Sequence, residues 1–271
     1  MTDAAATDRR CVCNGTSIRY RDEGSGPAVI LVHGWTLDLE MWDPQTALLR
    51  SSFRVICFDR RGFGLSSGHP SIDRDSEDLE ALHRRLALGR VALVGMSQGA
   101  RAVMRFAVAA PSRVSCVVLD GPPDLLATDA ADLEALMQYR ALAHTKGMGA
   151  FRREWVNHPL VRLRTRDPSA HQTLRSMLER YPGKDLAAST VTAESDLQPL
   201  QLESFEVPTL IITGEHDMAD RIDSANVLAR HLPRAERATI PDAGHLPNLD
   251  NPKPYNAILR AFLGRHATPL S

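Results

Sequence analysis

The feature that most restricts the fold of this chain is a set of short apolar runs that do not alternate with polar residues. They are AVILVH (28–33), RVICFD (54–59), VALVG (91–95), RVSCVVLD (113–120) and TLIITG (209–214). A strand with one wet face alternates, whereas a strand covered on both faces is apolar throughout, as in a parallel sheet between helical layers. TSIRY (16–20) and RATI (237–240) add shorter strands at either end. Between the runs lie segments with helical spacing of apolar residues: 75–88, 98–110, 224–232 and 255–263. Strand–helix alternation of this kind predicts an α/β, doubly wound, mostly parallel sheet.

The alternation breaks once. From about 122 to 205 the pattern is helical and loop-like, with LEALMQYRALA, AFRREWVNH and SAHQTLRSMLERY as its apolar-periodic stretches. The expectation is a core of 1–121 and 206–271 with an inserted helical cap at 122–205. A chain of 271 residues is long enough for one sizeable core with such an insertion. A net charge of −1 supplies no field for nucleic acid or an anionic membrane. Cys57 and Cys116 sit in apolar runs as small hydrophobes, and Cys11 and Cys13 are too few for a zinc site. The start, MTDAAATDRR, carries acidic residues and no apolar leader, and no stretch approaches a membrane span. A cytoplasmic setting is expected, with no metal; the oligomeric state stays open, a homodimer included.

The chemistry is carried by GMSQGA (95–100), a Gly-x-Ser-x-Gly pattern directly after the strand-like VALV. A strand turning at once into a helix holds the corner residue in a strained conformation with its side chain exposed. The residues two before and two after must then be small. Gly95 and Gly99 meet that demand, so Ser97 is the candidate nucleophile. A serine hydroxyl needs a base, and His245, in the DAGH loop after RATI, stands at a strand end where such loops carry function. Asp217 in TGEHD precedes it and is the candidate acid, with Glu215, Asp220 and above all Asp120 as rivals. Serine, acid, histidine is the chain order expected for this architecture. The oxyanion donors expected are the backbone N–H groups of Gln98 and Trp35, with Gly34 letting backbone approach substrate.

VILVHGW (29–35), FDRRGFGLSS (58–67), VGMSQGA (94–100), VPTLIITGEHD (207–217) and IPDAGHLPNLDNP (240–252) together resemble the α/β-hydrolase fold superfamily over nearly the whole chain. The resemblance implies a hydrolase without metal or cofactor, with the cap forming one wall of the pocket. It gives Arg60 and Arg61 no catalytic role. Ser97 stands where dehalogenases and epoxide hydrolases of this fold use aspartate, and Leu246 and Gln98 depart from the carbon–carbon hydrolases and proline iminopeptidases. The small esterases and 3-oxoadipate-type enol-lactonases are most similar. The expected substrate is a small, partly apolar ester or lactone, bound against Gly34, Met96 and Trp155, with Leu136, Met137 and Tyr139 as further candidate lining. Cap packing is the alternative role for these cap residues. Arg152 and Arg153 are candidates to pair with a substrate carboxylate. Acyl transfer or perhydrolysis, carbon–carbon cleavage and a receptor with vestigial turnover are the competing functions.

Overall fold

The computed structural model describes residues 7–126, 130–187 and 202–267, with the side chains of 130–135 left aside. The start at 1–6 and parts of the expected cap, 127–129 and 188–201, lie outside the described residues. Eight strands form one sheet: β1 (Arg9–Cys13), β2 (Thr16–Glu23), β3 (Ala28–Val32), β4 (Arg54–Phe58), β5 (Val91–Met96), β6 (Val114–Asp120), β7 (Thr209–Gly214) and β8 (Ala235–Ile240). Their order is β1-β2-β4-β3-β5-β6-β7-β8, antiparallel in the first two pairings and parallel thereafter.

Uninterrupted apolarity in the sequence corresponds to two buried faces. In β3, Val29 and Leu31 join one apolar cluster while Ile30 and Val32 join the other. The helices are α1 (Asp43–Leu49), α2 (Ile72–Arg85), α3 (Gln98–Ala109), α4 (Ala130–Trp155), α5 (Pro168–Arg180), α6 (Lys184–Ala187), α7 (Ala219–His231), α8 (Pro247–Asp250) and α9 (Pro252–His266). Leu79 of α2, Val103 of α3 and Leu228 of α7 cover one face; Leu49 of α1 and Tyr255, Leu259 and Phe262 of α9 cover the other. Phe151, Trp155, Leu174 and Tyr181, from the helices between β6 and β7, belong to that second cluster.

Four described elements escape the sequence pattern, among them the four-residue α6 and α8. β1, RRCVC, is an edge strand whose buried positions are only Cys11 and Cys13, too sparse to register as a strand. α1 is short and opens with proline at its first turn, which favours a helix start but leaves little periodicity. The two stretches expected as separate helices in the insertion are joined across a kink at Gly147, whose φ is 81°. All four cysteines are buried and free, and burial pushes the Cys57 and Cys116 thiols up to about 12.

Candidate active site

The C-terminal ends of β3, β5, β6 and β7, with the loop after β8, converge on one point. Ser97 sits between β5 and α3 with φ 51° and ψ −119°, a left-handed conformation that costs a non-glycine residue energy. The corner closes only around glycine. A Cβ on Gly95 would fall 2.5 Å from the Gly99 carbonyl oxygen, and one on Gly99 would strike the Val32 and His33 carbonyls of β3's end. The Ser97 N–H donates to the Asp120 carbonyl at 2.8 Å, tying the corner to β6.

Asp217 and His245 meet because the loops that carry them run in contact. The Glu215 N–H donates to the Ile240 carbonyl (2.9 Å) and the His216 N–H to that of Ala243 (2.8 Å). Gly214 lies so close under Ala243 and Gly244 that no side chain fits there. His245 Nδ1 then lies 2.9 Å from Asp217 Oδ1 and 3.1 Å from Oδ2. A carboxylate only accepts, so Nδ1 carries the proton and Nε2 is left as the basic nitrogen. Among the described residues Nε2 has no hydrogen-bond partner, and Ser97 and His245 line the same cavity.

The rival acids are placed otherwise. Asp120 Oδ2 accepts from the Tyr255 hydroxyl at 3.0 Å. Complete burial, reinforced by Asp217 nearby, holds its carboxyl well above the usual range despite that bond, whereas Asp217 is the histidine's partner. Glu215 is exposed and accepts from the Asp242 N–H, and Asp220 is half-buried with its Oδ2 3.9 Å from Arg221 Nε. Glu215, His216 and Asp242 bring ligand-type atoms within 4.8 Å of one another, but all three are exposed and the chemistry below does not involve them.

Gln98 is the first residue of α3, so its N–H has no acceptor within the helix. Trp35 follows Gly34, whose added Cβ would meet Met96 Sδ at 2.6 Å and Ser97 Cβ at 3.3 Å; the two loops are that close. The peptide between Gly34 and Trp35 is held by a device the motifs did not reveal. The Arg60 N–H donates to His33 Nε2 (2.9 Å), so His33 Nδ1–H donates to the Gly34 carbonyl (2.8 Å). Burial, then the Arg60 cation, lowers the His33 pKa to about 3, which keeps this pattern at any physiological pH. In a trans peptide the N–H opposes the C=O, so fixing the Gly34 carbonyl aims the Trp35 N–H the other way. Arg60 also donates to Gln98 Oε1 (3.3 Å) and to the His33 carbonyl (3.4 Å), bracing both sides.

Arg60 is itself buried, and its Nε donates to Asp75 Oδ2 at 2.8 Å. Burial outweighs the guanidinium and pushes Asp75 up to about 6. Removing one partner of a buried pair leaves the other charged and unpaired, which typically costs about 3–5 kcal/mol. Arg60→Met is therefore expected to lose about that much in urea unfolding at pH 8, and Arg60→Met/Asp75→Asn to recover most of it. An acid whose pKa is raised by folding stabilises fully below its unfolded value and less as pH rises through the folded one. The single variant's deficit should thus shrink toward pH 5. A deficit within about 1 kcal/mol at both pH values would contradict the brace.

The cavity beside Ser97 is lined by Trp35, Leu37, Met96, Trp155, Leu160, Val161 and His245 and measures about 10 Å³, the space of about one water. Met96 and Trp155 are thus brought to the site, and Gly34 lies against it. Trp155 Nε1 donates to Thr36 Oγ1 (2.8 Å), and Trp35 Nε1 to Asp185 Oδ2 (2.6 Å), so the helical insertion is bonded to the loop after β3. Leu136 and Tyr139 pack on the apolar cluster, whereas Met137 is 57 % exposed and does not line the cavity. Arg152 is engaged too: it donates to the Leu178 and Tyr181 carbonyls at the end of α5, and Arg153 is exposed. These two arginines do not converge on the site as a carboxylate clamp.

A family model described as alpha/beta hydrolase fold matches residues 27–252. A thermophilic esterase from Thermogutta terrifontis superposes with a TM-score of 0.81 at 25% identity, over 96% of this chain and 99% of that one. The enol-lactonase from Burkholderia xenovorans LB400 does so with 0.79 at 26% identity, over 94% and 100%. The 2-(acetamidomethylene)succinate hydrolase of Mesorhizobium japonicum is 30% identical over 257 residues, 90% of this chain and 91% of that protein. No helix among the described residues is long and apolar enough to cross a membrane.

Proposed function

The chain belongs to the α/β-hydrolase fold family, an enzyme family, and from that premise we propose that it hydrolyses a carboxylic ester or lactone of a small, partly apolar molecule through an acyl-enzyme on Ser97. The observation that carries the reading is His245, its Nδ1 held by Asp217 and its Nε2 unpartnered beside Ser97 in one apolar cavity. His245 takes the Ser97 proton as Oγ attacks the carbonyl carbon, and Asp217 stabilises the imidazolium that forms. The tetrahedral oxyanion is received by the Trp35 and Gln98 N–H groups. His245 then protonates the leaving alkoxide and, in the second half, activates the water that releases the acid. The insertion of 122–205 acts as a cap, its Trp155, Leu160 and Val161 favouring an apolar substituent. Relatives named as an esterase and an enol-lactonase support the substrate class.

An acyl-enzyme has a direct consequence for product partition. Esters sharing an acyl group but differing in leaving alcohol must pass through one intermediate. With methanol added, the ratio of methyl ester to free acid is expected to be the same for every leaving group. A ratio that changes with the leaving group would overturn the acyl-enzyme. A ratio that is constant but strongly weighted to the methyl ester would assign the enzyme to acyl transfer.

A further inference from the structure

The dipeptide at the end of β6, Asp120-Gly121, lies against Ser97, His245 and Asp217. The Asp120 carbonyl accepts from the Ser97 N–H at 2.8 Å, and the Gly121 N–H donates to the Ile212 carbonyl of β7 at 2.9 Å, anchoring the dipeptide to both neighbouring strands. Gly121 has φ +51°, and its missing Cβ is the space in which the histidine–carboxylate pair sits. A Cβ there would lie 2.7 Å from His245 Cε1, 2.9 Å from Nδ1 and 3.3 Å from Asp217 Oδ2. Real Cβ atoms essentially never approach closer than 3.0 Å, so the ring or the Asp120–Gly121 backbone must shift if the position carries any side chain. The ring has little room to give, because His245 is 2 % exposed and the neighbouring Gly244 N–H is held by Asp250 Oδ2 at 2.8 Å.

We infer that Gly121 is a positioning residue: it seats the His245 ring in hydrogen-bonding register with Asp217, and a single methyl at this position uncouples the pair. The inference rests on the proposed roles of Ser97, His245 and Asp217, and it adds a residue that touches neither nucleophile nor substrate. Its backbone conformation and its contact are separable causes, because other glycines share the first without the second. Gly15, in the turn between β1 and β2, has φ +75° and nothing within 4 Å of an added Cβ. Alanine there meets the same left-handed strain with no contact.

Gly121→Ala, Gly121→Asn and Gly15→Ala should be compared with the natural chain in three measurements: melting temperature, kcat and KM on a short p-nitrophenyl ester, and the downfield proton resonance of a His Nδ1–H bound to a carboxylate. Misplacement of about 1 Å costs about 10²-fold. Gly121→Ala is expected to lose about that factor in kcat with KM little changed, and to lose or shift the resonance. Asparagine tolerates positive φ but still carries a Cβ. Gly121→Asn should therefore fold more stably than Gly121→Ala with the same loss of turnover and resonance, which keeps the test decisive if the alanine variant is too unstable. Gly15→Ala should lose melting temperature alone. A folded Gly121 variant with natural kcat, or with lost kcat and the resonance in place, would overturn the inference. The resonance reports the His245–Asp217 bond without catalysis, so this outcome is distinct from failure of the acyl-enzyme reading, which would show as turnover surviving the loss of Ser97.

Discussion

Ser97→Ala is expected to lower kcat on a short p-nitrophenyl ester by ~10³-fold or more, equivalent to ~4 kcal/mol of transition-state stabilisation. The methyl side chain keeps the corner's shape and removes only the attacking oxygen. Relief of the positive φ is negligible, since alanine is as strained there as serine. The melting temperature should therefore hold while turnover collapses, and KM should move little because the pocket walls are untouched. Residual hydrolysis above the uncatalysed rate is expected from water placed among the Trp35 and Gln98 donors. An undiminished rate would remove Ser97 from the mechanism.

Asp217→Asn is expected to cost about 10⁴-fold in kcat, because the amide can donate to His245 Nδ1 and so favours the tautomer with the proton on the wrong nitrogen. Asp120→Asn provides the contrast. Burial disfavours the charged form of its carboxyl, which faces Tyr255, and an amide oxygen accepts that hydroxyl equally well. Its kcat should stay within a few-fold of natural. The stability effect has a definite sign: an acid whose pKa is raised by folding stabilises fully below its unfolded value near 3.9 and loses that contribution as pH rises. Asp120→Asn should thus melt at the same temperature as the natural chain near pH 4 and above it at pH 8. If Asp120→Asn lost turnover and Asp217→Asn kept it, the acid would be misassigned. Thermal melts at the two pH values and steady-state kinetics at pH 8 check both halves.

What could be read from the sequence was what is local. Gly95, Ser97 and Gly99 lie within one corner, so the steric demand on the two glycines is visible in five residues. Asp217 and His245 were legible because each follows a strand in a loop at the same sheet edge, and the register of β7 with β8 then brings the two loops together. The unread residues act through contacts between distant loops. Arg60 looked like part of a structural loop, and only the fold shows it reaching His33, Asp75 and Gln98 at once. Gly121 carries no motif of its own in the sequence, and its tie to His245 exists only after β6 and the loop beyond β8 are neighbours. Arg152 misled for the opposite reason: an arginine on an insertion helix suggests a substrate anion, but the carbonyls ending α5 already occupy it. Met137 lies on the same helix as Leu136 and Tyr139, but it stands one and two residues from them and faces outward.

The cavity beside Ser97 measures about 10 Å³, the space of about one water, and the insertion supplies Trp155, Leu160 and Val161 to its wall. Trp155 and Trp35 are each bonded across to their partners, Thr36 and Asp185, which ties the insertion to the loop after β3.

The central claim is that Ser97 is an activated nucleophile, and covalent labelling by a small fluorophosphonate tests it most directly. Intact mass of the natural chain should show one adduct per molecule, and folded Ser97→Ala should show none. Equal labelling of both, or an unlabelled natural chain, would contradict the account.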